Sequence, residues 1–225
     1  MTPAIRYISD LHFSHANVLA YDNRPWTDIE SHDAGLVSRW NDVVGPKDTT
    51  YVLGDFCWGN LARWRELMKA LNGRKIVIKG NHDKASYLNA IRDDGLIKGW
   101  FDYKEVSDNG RMVVLCHFPI FSWNGMYRSS VHLYGHVHAS YDYNVVLRET
   151  RLFMDLYQHE CCAFNVGAMV NYIDYRPRTL DEILERGRAD MAAGRLFGAD
   201  ARPRHENGKQ YLAMPKNPTC TGEPQ

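Results

Sequence analysis

The sequence predicts an α/β protein in which two sheets pack face to face, with helices outside. Three observations carry this expectation. Over the first half, short apolar runs alternate with stretches of helical spacing, which implies parallel strands. Later runs follow one another with fewer helices, and Asp108-Asn109-Gly110 has the composition of a hairpin turn. The chain of 225 residues is long enough to bury a core without disulfides.

The elements follow in order. Ile5–Ile8, Tyr51–Leu53 and Ile76–Ile78 read as the first strands. Leu36, Val37, Trp40, Val43 and Val44 keep helical spacing, as do Leu61, Trp64, Leu67, Met68 and Leu71, after which Asn72-Gly73 is a stop signal. Tyr103–Val106 pairs through the hairpin with Met112–Leu115, and Val131–Tyr134 and Ala163–Val166 complete the strands. From Arg176 the character shifts. Thr179-Leu180-Asp181-Glu182 resembles a capped helix start, with Leu180, Ile183 and Leu184 as its apolar face. Beyond about Ala199 the chain is polar and rich in Pro and Gly, with Tyr211–Met214 as its one sticky piece. The expected division is a domain over residues 1–175, then a C-terminal helix and tail over 176–225.

Composition narrows the function classes. Lys plus Arg equals Asp plus Glu at 27 each, so the chain lacks the basic excess of a dedicated binder of long nucleic acid. Five cysteines form an odd count without C-x-x-C, which suits a reducing, cytoplasmic setting. No basic-then-apolar leader opens the sequence, and no apolar stretch approaches the roughly 20 residues of a membrane span.

Chemistry concentrates in five short motifs: Asp10-Leu11-His12, Gly54-Asp55, Gly80-Asn81-His82-Asp83, His117, and Gly135-His136-Val137-His138. Each stands at the end of an expected strand, where open sheets bind ligands. In an extended chain, residues two apart face the same way, so Asp10 with His12 and His136 with His138 are expected to face one site. The glycines let the backbone approach closely. Mixed imidazole and carboxylate ligands suit first-row divalent ions, manganese first, with Fe, Zn, Co or Ni as alternatives. Asp55, central in the motif order, is the expected bridge between two cations, which together would attract an anionic phosphate.

These motifs give the chain a resemblance to the calcineurin-like metallophosphoesterases over roughly residues 4 to 170. Asp10 through Asn17, Arg24-Pro25 and Leu53–Phe56 are similar to small bacterial and prophage-encoded members. The resemblance implies a four-layer α/β/β/α sandwich of two mixed sheets flanked by helices. It implies two cations, one on Asp10, His12, Asp55 and His138, the other on Asp55, Asn81, His117 and His136. It makes Asp55 and His82 catalytic, with His82 contacting the phosphate and protonating the leaving oxygen after attack by a metal-activated hydroxide. In the protein phosphatase branch a second Asp orients that histidine. Trp58 stands at its position here, and Asp83 is the nearest replacement.

The expected activity is hydrolysis of phosphodiesters in nucleotides or short nucleic-acid ends, with no membrane and no obligatory protein partner. A nuclease on long DNA or RNA, a phosphomonoesterase and a metal-stabilised scaffold are the alternatives. Around the motifs, His15 can contact a leaving group or cap a turn, and Arg24 and Arg128 can clamp a phosphate or form surface ion pairs. Trp26, Trp58, Trp123, Tyr127 and Tyr141 each follow a motif closely and can form a stacking rim or pack in the core. Cys57 and Cys116 read as small buried residues, and His32, His132, His159 and His205 as structural or exposed.

Overall fold

The structure is a computed structural model that describes residues 2–157 and 162–193. Two four-stranded sheets form its centre. The first orders β1 (Ile5–Ile8), β2 (Thr49–Val52), β3 (Arg74–Ile78) and β4 (Trp100–Phe101), all parallel. The second orders β5 (Tyr103–Asp108), β6 (Arg111–Cys116), β7 (Val131–Tyr134) and β8 (Ala163–Asn165). Within it β5 runs antiparallel to β6, and the remaining ladders are parallel. The second sheet is therefore mixed as expected, whereas the first is not. Every connection in the first sheet contains a helix, which returns the chain to the same end. These helices are α1 (Val18–Tyr21), α2 (Ile29–Asn41), α3 (Leu61–Ala70) and α4 (Ala85–Asp93).

Alternation along β6 shows how the layers stack. Val113 and Leu115 join the main core with β1, β2, β3 and residues of α2, α3 and α4. Val114, between them, faces the opposite way and packs with Tyr143, Leu147 and Phe153 of α5 (Tyr141–Tyr157). A sheet buried on both faces requires such a period-two division of apolar side chains. The result is an α/β/β/α sandwich. α6 (Leu180–Ala192) packs on β1 and β8, where the edges of the two sheets meet. Its Leu180, Ile183 and Leu184 share the main core, and Thr179 and Glu182 form the expected capping box.

The hairpin at residues 108–111 is a two-residue turn with positive φ at Asn109 and Gly110, 49° and 78°, the pair of values a type I′ turn needs. Strand β4 and helices α4 and α5 were not legible in the sequence. β4 has two residues, and α4 buries only Leu88 and Ile91 within a polar stretch. Tyr141 opens α5 instead of lying in a loop. The tail beyond Ala199, Tyr211–Met214, His159 and His205 lie outside the described residues. Among the described residues, no helix is long and apolar enough to cross a membrane.

Candidate metal centre

All five motifs meet where the parallel strands end. Asp10 and His12 follow β1, Asp55 follows β2, and Asn81 and His82 follow β3. His117 follows β6 directly, and His136 and His138 follow β7 through Gly135. The two sheets are stitched together beside this point: Ser9 donates its N–H to Val166 and accepts from Ala168, at 2.9 Å each.

The pairs do not converge through the pleat of an extended chain, as the sequence suggested. Asp10, His12, Asp55, His136 and His138 all have left-handed backbones, with φ of 54°, 50°, 53°, 70° and 48°. Such residues are uncommon outside glycine and persist only where surrounding structure holds them. One consequence is that neighbours in sequence serve different pockets. His138 Nε2 lies 3.1 Å from His12 Nε2, whereas His136 Nδ1 lies 3.0 Å from Asn81 Oδ1. Close approach explains the glycines. A Cβ at Gly54 would sit 2.5 Å from His117 Nδ1, and one at Gly135 would collide with Ser9 Oγ and Asp10 Oδ2.

Two clusters of ligand atoms result. In the first, Asp10 Oδ1 lies 3.6 Å from His138 Nε2 and 4.0 Å from His12 Nε2. In the second, Asn81 Oδ1 lies 2.9 Å from His117 Nε2. Asp55 stands between them, its Oδ2 3.7 Å from His12 Nε2, 3.6 Å from His117 Nε2 and 3.9 Å from His82 Nε2. The resemblance puts Asp10 in the first cluster alone. Here one set of mutually close ligand atoms contains Asp10, His12 and His138, and a second contains Asp10, Asp55 and His117.

Electrostatics favours a cation at this point. Asp10 and Asp55 are buried, and among the described residues neither pairs with Lys or Arg. Burial, with the Asp10 carboxylate adding to it, pushes Asp55 above the ordinary carboxylate value. Burial and then His138 hold His12 well below the ordinary imidazole value, and burial and then His117 lower His136. The lowered values of His12 and His136 favour the neutral imidazole that metal binding requires. The outer nitrogens are oriented as well. His117 Nδ1 contacts Leu53 O at 2.7 Å and His138 Nδ1 contacts Asp22 Oδ1 at 2.8 Å, leaving each Nε2 to face the centre.

A family model described as calcineurin-like phosphoesterase matches residues 4–191. The chain belongs to this family. A phosphoester hydrolase of this family depends on metal, in keeping with the Asp/His clusters here. This phosphoesterase is 29% identical over 191 residues to an uncharacterised protein of Methanocaldococcus jannaschii, covering 82% of this chain and 93% of that protein. It is 33% identical over 131 residues to the gene 66 protein of Mycobacterium phage L5, covering 50% of this chain and 62% of that one. A protein of unknown function from Aquifex aeolicus shares the fold, with a TM-score of 0.59 and 25% identity over 82% of this chain and 100% of that chain.

Several neighbours of the motifs take unexpected places in this phosphoesterase. Arg24 is neither a phosphate clamp nor a surface ion pair. Its side chain is fully buried (0% exposed). It donates to Asp10 O at 2.8 Å, Leu11 O at 2.7 Å and Asp22 Oδ2 at 2.9 Å, and meets His32 Nε2 at 2.9 Å. Asp83 does not orient His82. Its carboxylate accepts from the backbone N–H groups of Asp55, Phe56 and Gly80 at 3.0, 3.1 and 2.9 Å. Arg128 is exposed on the short turn Met126–Arg128, beside Tyr127, which packs on Phe153 and Tyr157 of α5.

His15 closes a local turn, its backbone N–H donating to His12 O at 3.2 Å, and its ring stacks on Trp58 at 4.3 Å. Trp58 also meets His82 at 4.5 Å and is 48% exposed, so it belongs to the rim of the centre. Trp123 is buried against His132, and the half-buried Trp26 packs on Tyr175. Cys57 is a buried free thiol and Cys116 a half-buried one. Asp22 and Asn165, whose Nδ2 donates to His138 O at 2.9 Å, went unread in the sequence. The Asp-x-Arg spacing at 22–24 was the available signal for Asp22.

Proposed function

We propose that this phosphoesterase holds two divalent cations side by side and hydrolyses phosphodiesters of nucleotides or short nucleic-acid ends. The observation that carries the reading is the position of Asp55, whose Oδ2 faces His12, His117 and His82 within 3.9 Å. A carboxylate shared by two imidazole clusters is suited to bridging. Asp10, His12, Asp55 and His138 would hold one cation, and Asp55, Asn81, His117 and His136 the other. Mixed imidazole and carboxylate donors suit first-row divalent ions, of which manganese is the one proposed. Bound there, the pair would activate water and draw charge from the phosphoryl oxygens.

The remaining work is assigned to His82 in this reading. Its backbone N–H donates to Asp55 Oδ1 at 3.1 Å, while its ring is 41% exposed. It can therefore meet a phosphate above the centre and hand a proton to the leaving oxygen. Asn81 and His82 are exposed at the mouth, which leaves room for an esterified group on either side of the phosphorus. The exposed ring of Trp58 supports a substrate that carries flat groups.

The test compares bis-p-nitrophenyl phosphate with p-nitrophenyl phosphate in the presence of Mn²⁺, for wild type and Asp55→Asn, with bound metal counted. The expected result is preferential diester cleavage, two ions per chain, and a rate loss of at least about 100-fold in Asp55→Asn, since even an outer-shell change costs 10–100-fold. A variant that keeps both ions and the wild-type rate would remove Asp55 as the bridge. Dominant monoester cleavage would overturn the diester preference.

A further inference from the structure

A cavity of about 390 Å³ opens beside His82, on the side lined by Trp58, Trp64 and Tyr87. It lies within the roughly 300–1,000 Å³ range of small-molecule sites. Asn81 and His82 form the wall it shares with the centre, so a group leaving the phosphate past His82 enters it.

Charge and shape describe the occupant. Lys84 lines the cavity with its Nζ 5.1 Å from the centre of the Tyr87 ring. Among the described residues, Lys84 makes no ion pair and its ammonium faces the Tyr87 ring, available to an incoming anion. The acidic wall residue, Asp83, turns both carboxylate oxygens toward backbone N–H groups. Its carboxylate is therefore engaged by the backbone and not by Lys84. What remains is one cation above aromatic walls, the complement of a flat ring that carries a negative group.

The geometry points to this cavity as the leaving-group subsite, which takes a nucleotide bearing a second phosphate. The ring lies along Tyr87 and the exposed edge of Trp58, and the second phosphate meets Lys84. This rests on the proposed diester hydrolysis, with His82 at the leaving oxygen.

Two measurements on the full chain test it. The first compares kcat/KM for a thymidine dinucleotide without terminal phosphates with that for the same dinucleotide phosphorylated at both ends. Phosphates at both ends make the result independent of which nucleoside leaves. Wild type is expected to prefer the phosphorylated form by about tenfold, chiefly through KM, and Lys84→Met to lose that preference. Tenfold is the size expected for one charge-assisted hydrogen bond. The second is calorimetric binding of thymidine 3′,5′-bisphosphate to the chelated protein, where Lys84→Met and Tyr87→Leu are each expected to weaken binding severalfold. A preference unchanged in Lys84→Met, or bisphosphate binding equal in wild type and both variants, overturns the subsite. If bis-p-nitrophenyl phosphate is cleaved while the dinucleotides show no end-phosphate preference, the subsite fails and the hydrolase reading survives. If no diester is cleaved but bisphosphate binding depends on Lys84 and Tyr87, the cavity is a nucleotide site and the diester reading fails.

Discussion

Behind His138, support for the centre runs through side chains; behind Asn81 and His117 it runs to the backbone. His138 leans on Asp22, Asp22 on Arg24, Arg24 on His32 and His32 on Asp33, which also takes Arg63 of α3 at 2.8 Å. On the other side, His117 leans on a carbonyl, and Asp83 ties the loop after β3 to the loop after β2 through three N–H groups. A relay of ionisable side chains can be altered one link at a time. A carboxylate that satisfies three buried donors is a single point on which two loops depend.

This difference can be broken most directly at Arg24. Arg24→Met removes the buried cation and leaves Asp22, two carbonyls and His32 with fewer partners, at an expected cost of about 4 kcal/mol. Urea unfolding of the chelated protein measures it. A cost below that of Asp83→Ala would show that the relay is not the principal brace. Asp83→Ala comes next, at about 3 kcal/mol for the orphaned donors, with weakened metal binding on the Asn81 side. Retention of wild-type stability would mean that the two loops hold their positions without the carboxylate.

The smallest effect is expected for Asp22→Asn, a loss of about 10–100-fold in affinity for one cation and little change for the other. Equal loss of both ions would merge the two halves into one cooperative unit. The same variant sharpens the comparison through pH. Although burial opposes it, Asp22 sits below its ordinary value because of His138 and Arg24. His138, which burial alone would lower, sits above its ordinary value because of Asp22 and Asp10. A depressed carboxylate stabilises above its unfolded pKa and loses that contribution as pH falls through the folded one. A raised imidazole stabilises below its unfolded pKa and loses that contribution as pH rises through the folded one. Without metal, the pair therefore contributes most between about pH 4 and 6.5. Asp22→Asn should flatten the stability profile of the chelated protein on both sides of that window, and an unaltered profile would deny the pair its role.

In both halves the ligands could be read in advance and the braces behind them could not. Asp10, His12, Asp55, Asn81, His117, His136 and His138 announce themselves, because short polar motifs after apolar runs are visible in one dimension. The α2 and α3 patterns, the Asn109-Gly110 turn and the Thr179 cap are visible for the same reason: each depends on neighbours within a few residues. Arg24 and Asp83 were misread because their meaning lies in partners the sequence does not put beside them. Arg24 looks like a surface cation until Asp10 and Leu11 fold over it. Asp83 looks like a partner for the histidine next to it until Asp55 and Phe56, far away in sequence, turn their N–H groups toward it. The helix α5 escaped for a related reason, since Tyr143, Leu147 and Phe153 become a buried face only against the outer side of the second sheet.

By itself, then, the sequence determined the inventory: the donor types, the glycines that admit them, and the alternation of strands and helices that brings them to one end of the sheets. The residues and their spacing alone did not allocate them: a family resemblance expected His136 and His138 on different cations, and tertiary structure showed how they part. It sent His136 and His138 to different pockets through left-handed backbones, turned Arg24 and Asp83 from candidate functional groups into braces, and opened a cavity beside His82. The physical reason is range. Hydrophobic period, turn chemistry and caps are settled within a few residues. Hydrogen-bond satisfaction of a buried charge, and the empty space beside it, depend on whatever chain the fold brings there.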